Sequence, residues 1–229
     1  MHWMMVTVAA GPCDSVRPAG RTACRGAACK RLASRRYRRY GKHMDQAPFL
    51  TGQLLLAMPG IGDPRFEKAV IAMCVHDENG ALGIGLGRIV PRITFHGLLK
   101  QLDIEPGQAP DVAIHLGGPV EPQRGFLVHS LDWGGQESIQ VSDRWALTAT
   151  LDILKAIAEG KGPTRWIAAL GYAGWGAGQL EQELCGNGWF ATEGSDDLLY
   201  ECDVDNRWSA GFKSAGIDPR LLTVDFGTA

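Results

Sequence analysis

The sequence predicts an α/β protein of the mixed α+β kind, a mixed β-sheet with helices packed on it. Three observations predict it. Hairpin signals crowd the first half, an amphipathic helix lies between strand patterns near residue 155, and a long apolar strand runs into a helix near residue 179. At 229 residues and 45% apolar content the chain can bury a substantial core.

Ordered sequence is expected from Phe49. "GQLLLAMPG" (52–60) reads as a strand ended by Pro59 and Gly60, and "GIGDPRFE" as a loop. "KAVIAMCVHD" (68–77) is a nearly all-apolar strand, so both faces are expected to be covered. "ENG" turns the chain into "ALGIGLGRIV" (81–90), which completes a hairpin. Thr94 can cap the short helix "FHGLLKQLDI", which stops before Pro106. "DVAIHLGGPV" is a strand entering a Gly-Gly-Pro turn, followed by strands at "RGFLVHS" and "ESIQVSD". "WALTATLDILKAIAEGKG" starts extended and turns helical near Thr150. Leu151, Leu154, Ile157 and Ala158 share one face, and Gly160 supplies the stop. "TRWIAALGYAGW" is a strong strand, and "GAGQLEQEL" opens a turn and a helix. Short extended pieces at "GWFAT" and "LLYEC" precede a helix at 203–215.

The formal net charge of −2 conceals two opposite pieces. Ten of the 23 Lys/Arg and one of the 25 Asp/Glu fall in residues 1–43, leaving +9 there and −11 in residues 44–229. DNA affinity rests on cations that neutralise phosphates, so the acidic body argues against direct DNA binding by the folded part. Residues 1–43 have no sustained period and read as a disordered or non-native extension, with Met44 as the natural start of a domain over 44–229. The longest apolar runs, "LLLAM" and "VIAMCV", fall far short of the ~20 residues a membrane span needs, so no membrane partner is expected. Cys74, Cys185 and Cys202 in the body have no CxxC spacing, which fits a reducing cytoplasm.

Three stretches could carry chemistry. "LGYAGWGAGQLEQEL" (170–184) suggests a phosphate cradle, but the dinucleotide pattern from Gly174 and Gly176 meets Gln179 where the third glycine belongs. The phosphate-loop pattern from Gly171 and Gly176 meets Ala177 where lysine belongs. The stretch is then either a turn that needs small residues, lidded by Tyr172 and Trp175, or such a turn with an added ligand role. "CVHDENG" places Cys74 and His76 on one strand face about 7 Å apart, too far for a thiolate–imidazole pair. Asp77 and Asn79 fit turn chemistry or a ligand site, and Cys74 is the candidate redox-sensitive thiol. "HLGGPVEPQRGFLVHS" offers Gly117, Gly118 and Pro119 as a rigid turn or an anion nest, with Arg124 as a nearby charge. No acid–base pair, cofactor motif or metal-ligand spacing emerges, so no catalytic residue, cofactor or metal is predicted.

Taken in order, "LTGQLLLAMPGIGDPRFEKAVIAMCVHDENGALG", "HLGGPVEPQRGFLVHS" and "ALGYAGWGAGQLEQEL" resemble the bacterial AlgH/YqgE family from about Phe49 to the C-terminus. The resemblance implies a mixed, partly barrel-like sheet with flanking helices in a cytoplasmic bacterial protein. Members are commonly labelled transcriptional regulators, and no established reaction comes with the label. One departure stands out: relatives usually read "GLVINKP" where this chain has "GIGLGRIVP", so Ile84-Gly85-Leu86-Gly87-Arg88 replaces a β-branched strand ending in Asn-Lys, and two glycines weaken that strand.

The function expected is regulatory, through small-molecule or protein binding. The candidate ligand residues are His76, Asp77, Asn79, Gly117, Gly118, Pro119, Arg124, Gly171, Tyr172, Gly174, Trp175 and Gly176. The alternative is an enzyme or thiol protein using the Cys74 and His76 region.

Overall fold

Leu54–Ala57 (β1) and Val70–Asp77 (β2) are apolar at successive positions because both faces of the sheet are covered there. Leu54, Leu56, Val70, Ala72 and Cys74 enter one core cluster, and Leu55, Ala57, Ile71 and Met73 enter another. The computed structural model describes residues 49–135 and 137–222. The expectation for residues 1–43 lies outside the described residues.

The further strands are Gly80–Gly85 (β3), Ile89–Thr94 (β4), Ala113–Leu116 (β5), Val120–Ser130 (β6), Ile139–Gln140 (β7), Trp145–Thr148 (β8), Trp166–Gly176 (β9) and Trp189–Thr192 (β10). The helices are Phe95–Gln101 (α1), Leu151–Ala158 (α2), Gln179–Cys185 (α3) and Val204–Ser214 (α4). Thr94 caps α1 as expected, its hydroxyl accepting from the Gly97 N–H at 3.3 Å.

Among the described residues the strands form one ten-stranded sheet with the path β10-β1-β2-β3-β9-β6-β8-β7, and the β4–β5 pair branches from β9. All pairings are antiparallel except β5 with β9, so the sheet is mixed. It is also partly barrel-like. In a flat sheet β1 and β8 would lie about 24 Å apart. Here Leu54 and Leu56 share a core cluster with Trp145 and Leu147. Arg144 bridges the two ends of the path, donating to the Glu193 carbonyl at 2.7 Å and the Gly194 carbonyl at 2.5 Å.

Helices cover what the curl leaves open. Phe212 of α4 stacks on Phe190 with ring centres 5.4 Å apart and closes the inner cluster. Phe95, Leu99, Leu154 and Ile157 of α1 and α2 pack on Ile114, Leu127 and Ala168. Each of the buried Phe, Leu and Ile side chains contributes roughly 1.5–3 kcal/mol. Among the described residues no helix is long and apolar enough to cross a membrane.

Several elements differ from expectation. The strand expected over 81–90 breaks at Leu86, Gly87 and Arg88, and β4 continues to Thr94 as a separate strand. "LLYEC" lies largely in a π-helical turn, Asp197–Glu201, because Leu198 and Leu199 are drawn together into the core. β7 is only two residues long. Residues 171–176 are not a turn at all: they are the last half of β9, and the chain turns afterwards at Ala177 and Gly178.

Candidate functional site

Strand β9 explains two of the three glycine motifs. Ala169 and Leu170 pair with β5 on one edge and with β6 on the other. Only Gly117, Gly118 and Pro119 connect β5 to β6, so that link must cross the β9 backbone at Gly171 and Tyr172. A Cβ on Gly117 would run into the Gly171 carbonyl, and one on Gly118 would overlap the Tyr172 backbone. The Gly117 N–H donates to the Leu170 carbonyl at 2.8 Å, and the Gly85 N–H donates to the Gly117 carbonyl at 2.7 Å. These glycines are there because three stretches of backbone touch.

The crossing leaves a groove on its outer side. A cavity of about 190 Å³ is bounded by the crossing link, the Gly85–Arg88 connection, the start of β2 and the Pro64–Phe66 turn. Its apolar surface comes from Phe66, Val70, Ile71 and Leu116, the last 41% exposed. Its charged groups are Arg65 and Arg88. Arg88 donates from one Nη to the Pro64 carbonyl at 2.9 Å and the Glu67 carbonyl at 3.3 Å, which holds the 63–67 loop over the groove. Arg65 forks onto Asp63, its guanidinium 5.9 Å from the centre of the Phe66 ring. That side-chain hydrogen bond holds the Asp63 carboxyl below its ordinary value.

His76 and Trp175 belong to a second cluster, organised by α3. The Leu50 N–H donates to His76 Nδ1 at 3.0 Å, which fixes the proton on Nε2, 2.9 Å from Glu181. Glu183 Oε2 accepts from the indole N–H of Trp175 at 2.9 Å and of Trp189 at 2.7 Å. Two turns of helix are thus pinned to β2, β9 and β10 through two carboxylates. The acids that follow the glycine-rich stretch serve side-chain partners, and the tryptophan's partners are a glutamate and a second indole. Substituting Glu183 by Ala would leave two buried indole N–H groups unpaired at a cost of about 2 kcal/mol. Urea unfolding followed by tryptophan fluorescence measures it, and an unchanged midpoint would show the carboxylate to be dispensable.

Cys74 and His76 are not on one face. A bulge between Met73 and Val75 interrupts the alternation of β2. Cys74 packs with Leu54 and Ala72, whereas His76 bonds to Leu50 and Glu181 on the other side of the sheet. Burial pushes the Cys74 thiol far up, so it is protonated and slow to react. Asp77 accepts from the Asn79 N–H at 2.7 Å, an Asx turn at the tip of the β2–β3 hairpin. Arg124 pairs with Glu121 at 3.0 Å and lies over the Phe126 ring, with Tyr172 edge-on to that ring at 5.8 Å. Gly174 lies beneath the Tyr172 ring, and the Gly176 N–H donates to the Gln179 side chain at 3.1 Å.

The structure therefore brings Gly117, Gly118, Gly171 and Tyr172 together, sets His76 and Trp175 apart in the α3 cluster, and places only Gly117, Gly118 and Pro119 on the groove. Sequence reasoning missed Arg65, Phe66, Arg88 and Leu116 as site residues. The signal for the first two was the Asp63-Pro64 pair, which caps a short turn with the Asp63 carboxylate accepting from the Arg65 N–H at 2.9 Å. Among the described residues no group of three or more His, Cys, Asp or Glu could hold a metal ion.

A family model described as AlgH-like matches residues 54–220. A UPF0301 protein of Rhizorhabdus wittichii is 64% identical over 186 residues, covering 81% of this chain and all of the relative. A UPF0301 protein of Novosphingobium aromaticivorans is 56% identical over the same shares. The solution structure of the AlgH protein from Pseudomonas aeruginosa superposes with a TM-score of 0.67 at 33% identity, over 82% of this chain and 100% of that one.

Proposed function

The chain belongs to the AlgH-like family, and from there we propose that it is a cytoplasmic regulatory protein that binds a small molecule in the groove beside Gly117, Gly118 and Pro119. The observation that carries this reading is the groove itself, a concave apolar surface with two arginines in its lining and a loop stapled beside it by Arg88. The regulatory part rests on the family's usual label. Direct DNA binding is disfavoured by the −11 balance of residues 44–229. A thiol mechanism is disfavoured by the buried, protonated Cys74.

Thermal unfolding of the full chain against a metabolite panel tests it. A ligand at a hundred times its Kd stabilises by about 2.7 kcal/mol, roughly 5–10 °C for a domain of this size. Leu116→Trp, which fills the groove from an exposed position, is expected to abolish that shift without lowering the unliganded Tm. If no compound shifts the Tm, or if Leu116→Trp leaves the shift intact, the groove is not the ligand site.

A further inference from the structure

We infer that the groove takes a small organic acid, an apolar body about the size of one aromatic ring with a single carboxylate or phosphate group directed at Arg65 and Arg88. This rests on the groove being the ligand site. Size sets the first limit. A cavity of 150 Å³ accommodates benzene, so about 190 Å³ leaves room for a ring and one acid group. It is below the ~300 Å³ at which ligand pockets ordinarily begin, which favours a ligand smaller than a nucleotide.

Charge sets the second limit. In residues 44–229 acids outnumber bases by 24 to 13, yet among the described residues the groove lining holds two arginines and no aspartate or glutamate, the Asp63 carboxylate meeting Arg65 from outside it. Both guanidiniums are held in place: Arg65 by its fork onto Asp63, and Arg88 by two carbonyls that occupy one of its Nη groups. The Arg88 carbonyl partners do not neutralise it, so its charge remains for the ligand and carries most of the attraction, whereas the Asp63 carboxylate offsets much of the Arg65 charge. Apolar contact with Phe66, Ile71 and Leu116 then places the body, and the paired cations orient the acid group.

The test compares benzoate, hexanoate and phenyl phosphate with the neutral benzamide and hexanamide, by calorimetric titration of the full chain. The acids are expected to bind roughly 3–10-fold more tightly than their amides at low salt, because the cations are solvent-exposed. The gap is expected to shrink below about twofold in 1 M salt, where the screening length is near 3 Å. Arg65→Gln is expected to narrow it in the same way, and Leu116→Trp to abolish binding of acids and amides alike. A preference for phenyl phosphate over benzoate identifies a phosphate monoester as the natural class, and the reverse a carboxylate. Amides that bind as tightly as acids would overturn the charge inference and leave the groove reading standing. Acid binding that survives Leu116→Trp would overturn both.

Discussion

Gly171→Ala is expected to destabilise the protein by roughly 2–5 kcal/mol, the largest effect of any single methyl group added to the glycine-rich stretch. Two penalties combine. Gly171 has φ +74° inside a strand, a conformation that costs an L-residue ~1–2 kcal/mol. Its Cβ would also strike the Gly118 carbonyl and lie 3.1 Å from the Val120 carbonyl and 3.2 Å from Pro122 Cα. All three are backbone atoms, one in the link that crosses β9 and two at the start of β6, so none can rotate away, and overpacking of this kind costs ~1–3 kcal/mol more. Gly178→Ala is the control, because Gly178 has φ +71° with nothing within 4 Å of the added atom. It is expected to lose only the conformational part, about 1–2 kcal/mol. Urea midpoints of the two variants separate the contributions. Equal losses would mean that the crossing tolerates a methyl group and that close packing is not what requires glycine there.

Lowering the pH from 7 to 4 is expected to remove about 3 kcal/mol of stability through His115 alone. This side chain is buried, with Nδ1 donating to the Leu86 carbonyl at 3.1 Å, and Arg207 Nη1 donates to the same carbonyl at 2.5 Å. Burial first, and the neighbouring Arg207 charge second, bring the imidazole down from 6.5 to about 4. Between those values the unfolded chain takes up a proton that the folded chain refuses. The stabilisation is therefore complete above pH 6.5 and is lost as pH falls toward 4. Burial lowers His129 too, which adds in the same direction. Carboxylates such as Asp111 and Asp132, both held below 3.8, act only at lower pH. His115→Gln should flatten most of the slope between pH 6.5 and 4 in urea titrations. An unchanged slope in that variant would assign the acid sensitivity elsewhere.

Arg207 shows why part of the fold was not legible in the sequence. It lies in "DVDNRWSAGF" among acids, where a solvated arginine is the natural reading. In the fold it is only 3% exposed and donates to the carbonyls of Leu86, Leu198 and Cys202. Nothing local announces that, because the Leu86 carbonyl is 121 residues away. The β2–β3 hairpin, the Thr94 cap, α2 and β9 were all legible, since each follows from the period of its own side chains and the caps beside it. The bulge that separates Cys74 from His76 was not: one inserted residue changes every later side chain's face, and strict alternation predicts the wrong one.

The sequence by itself determined the family, the mixed α/β class, the doubly covered central strands and the absence of either phosphate-loop pattern from "LGYAGWGAGQLEQEL". Those properties reside in short windows of residue type and spacing. Only the tertiary structure decided what the glycines are for. Gly171 is 53 or 54 residues from Gly118 and Gly117, and they share one place because β5 and β6 lie on opposite edges of β9 with three residues to join them. The close approach of two backbones needs hydrogen where a side chain would stand, and a chain crossing is a fact of topology that no local pattern encodes.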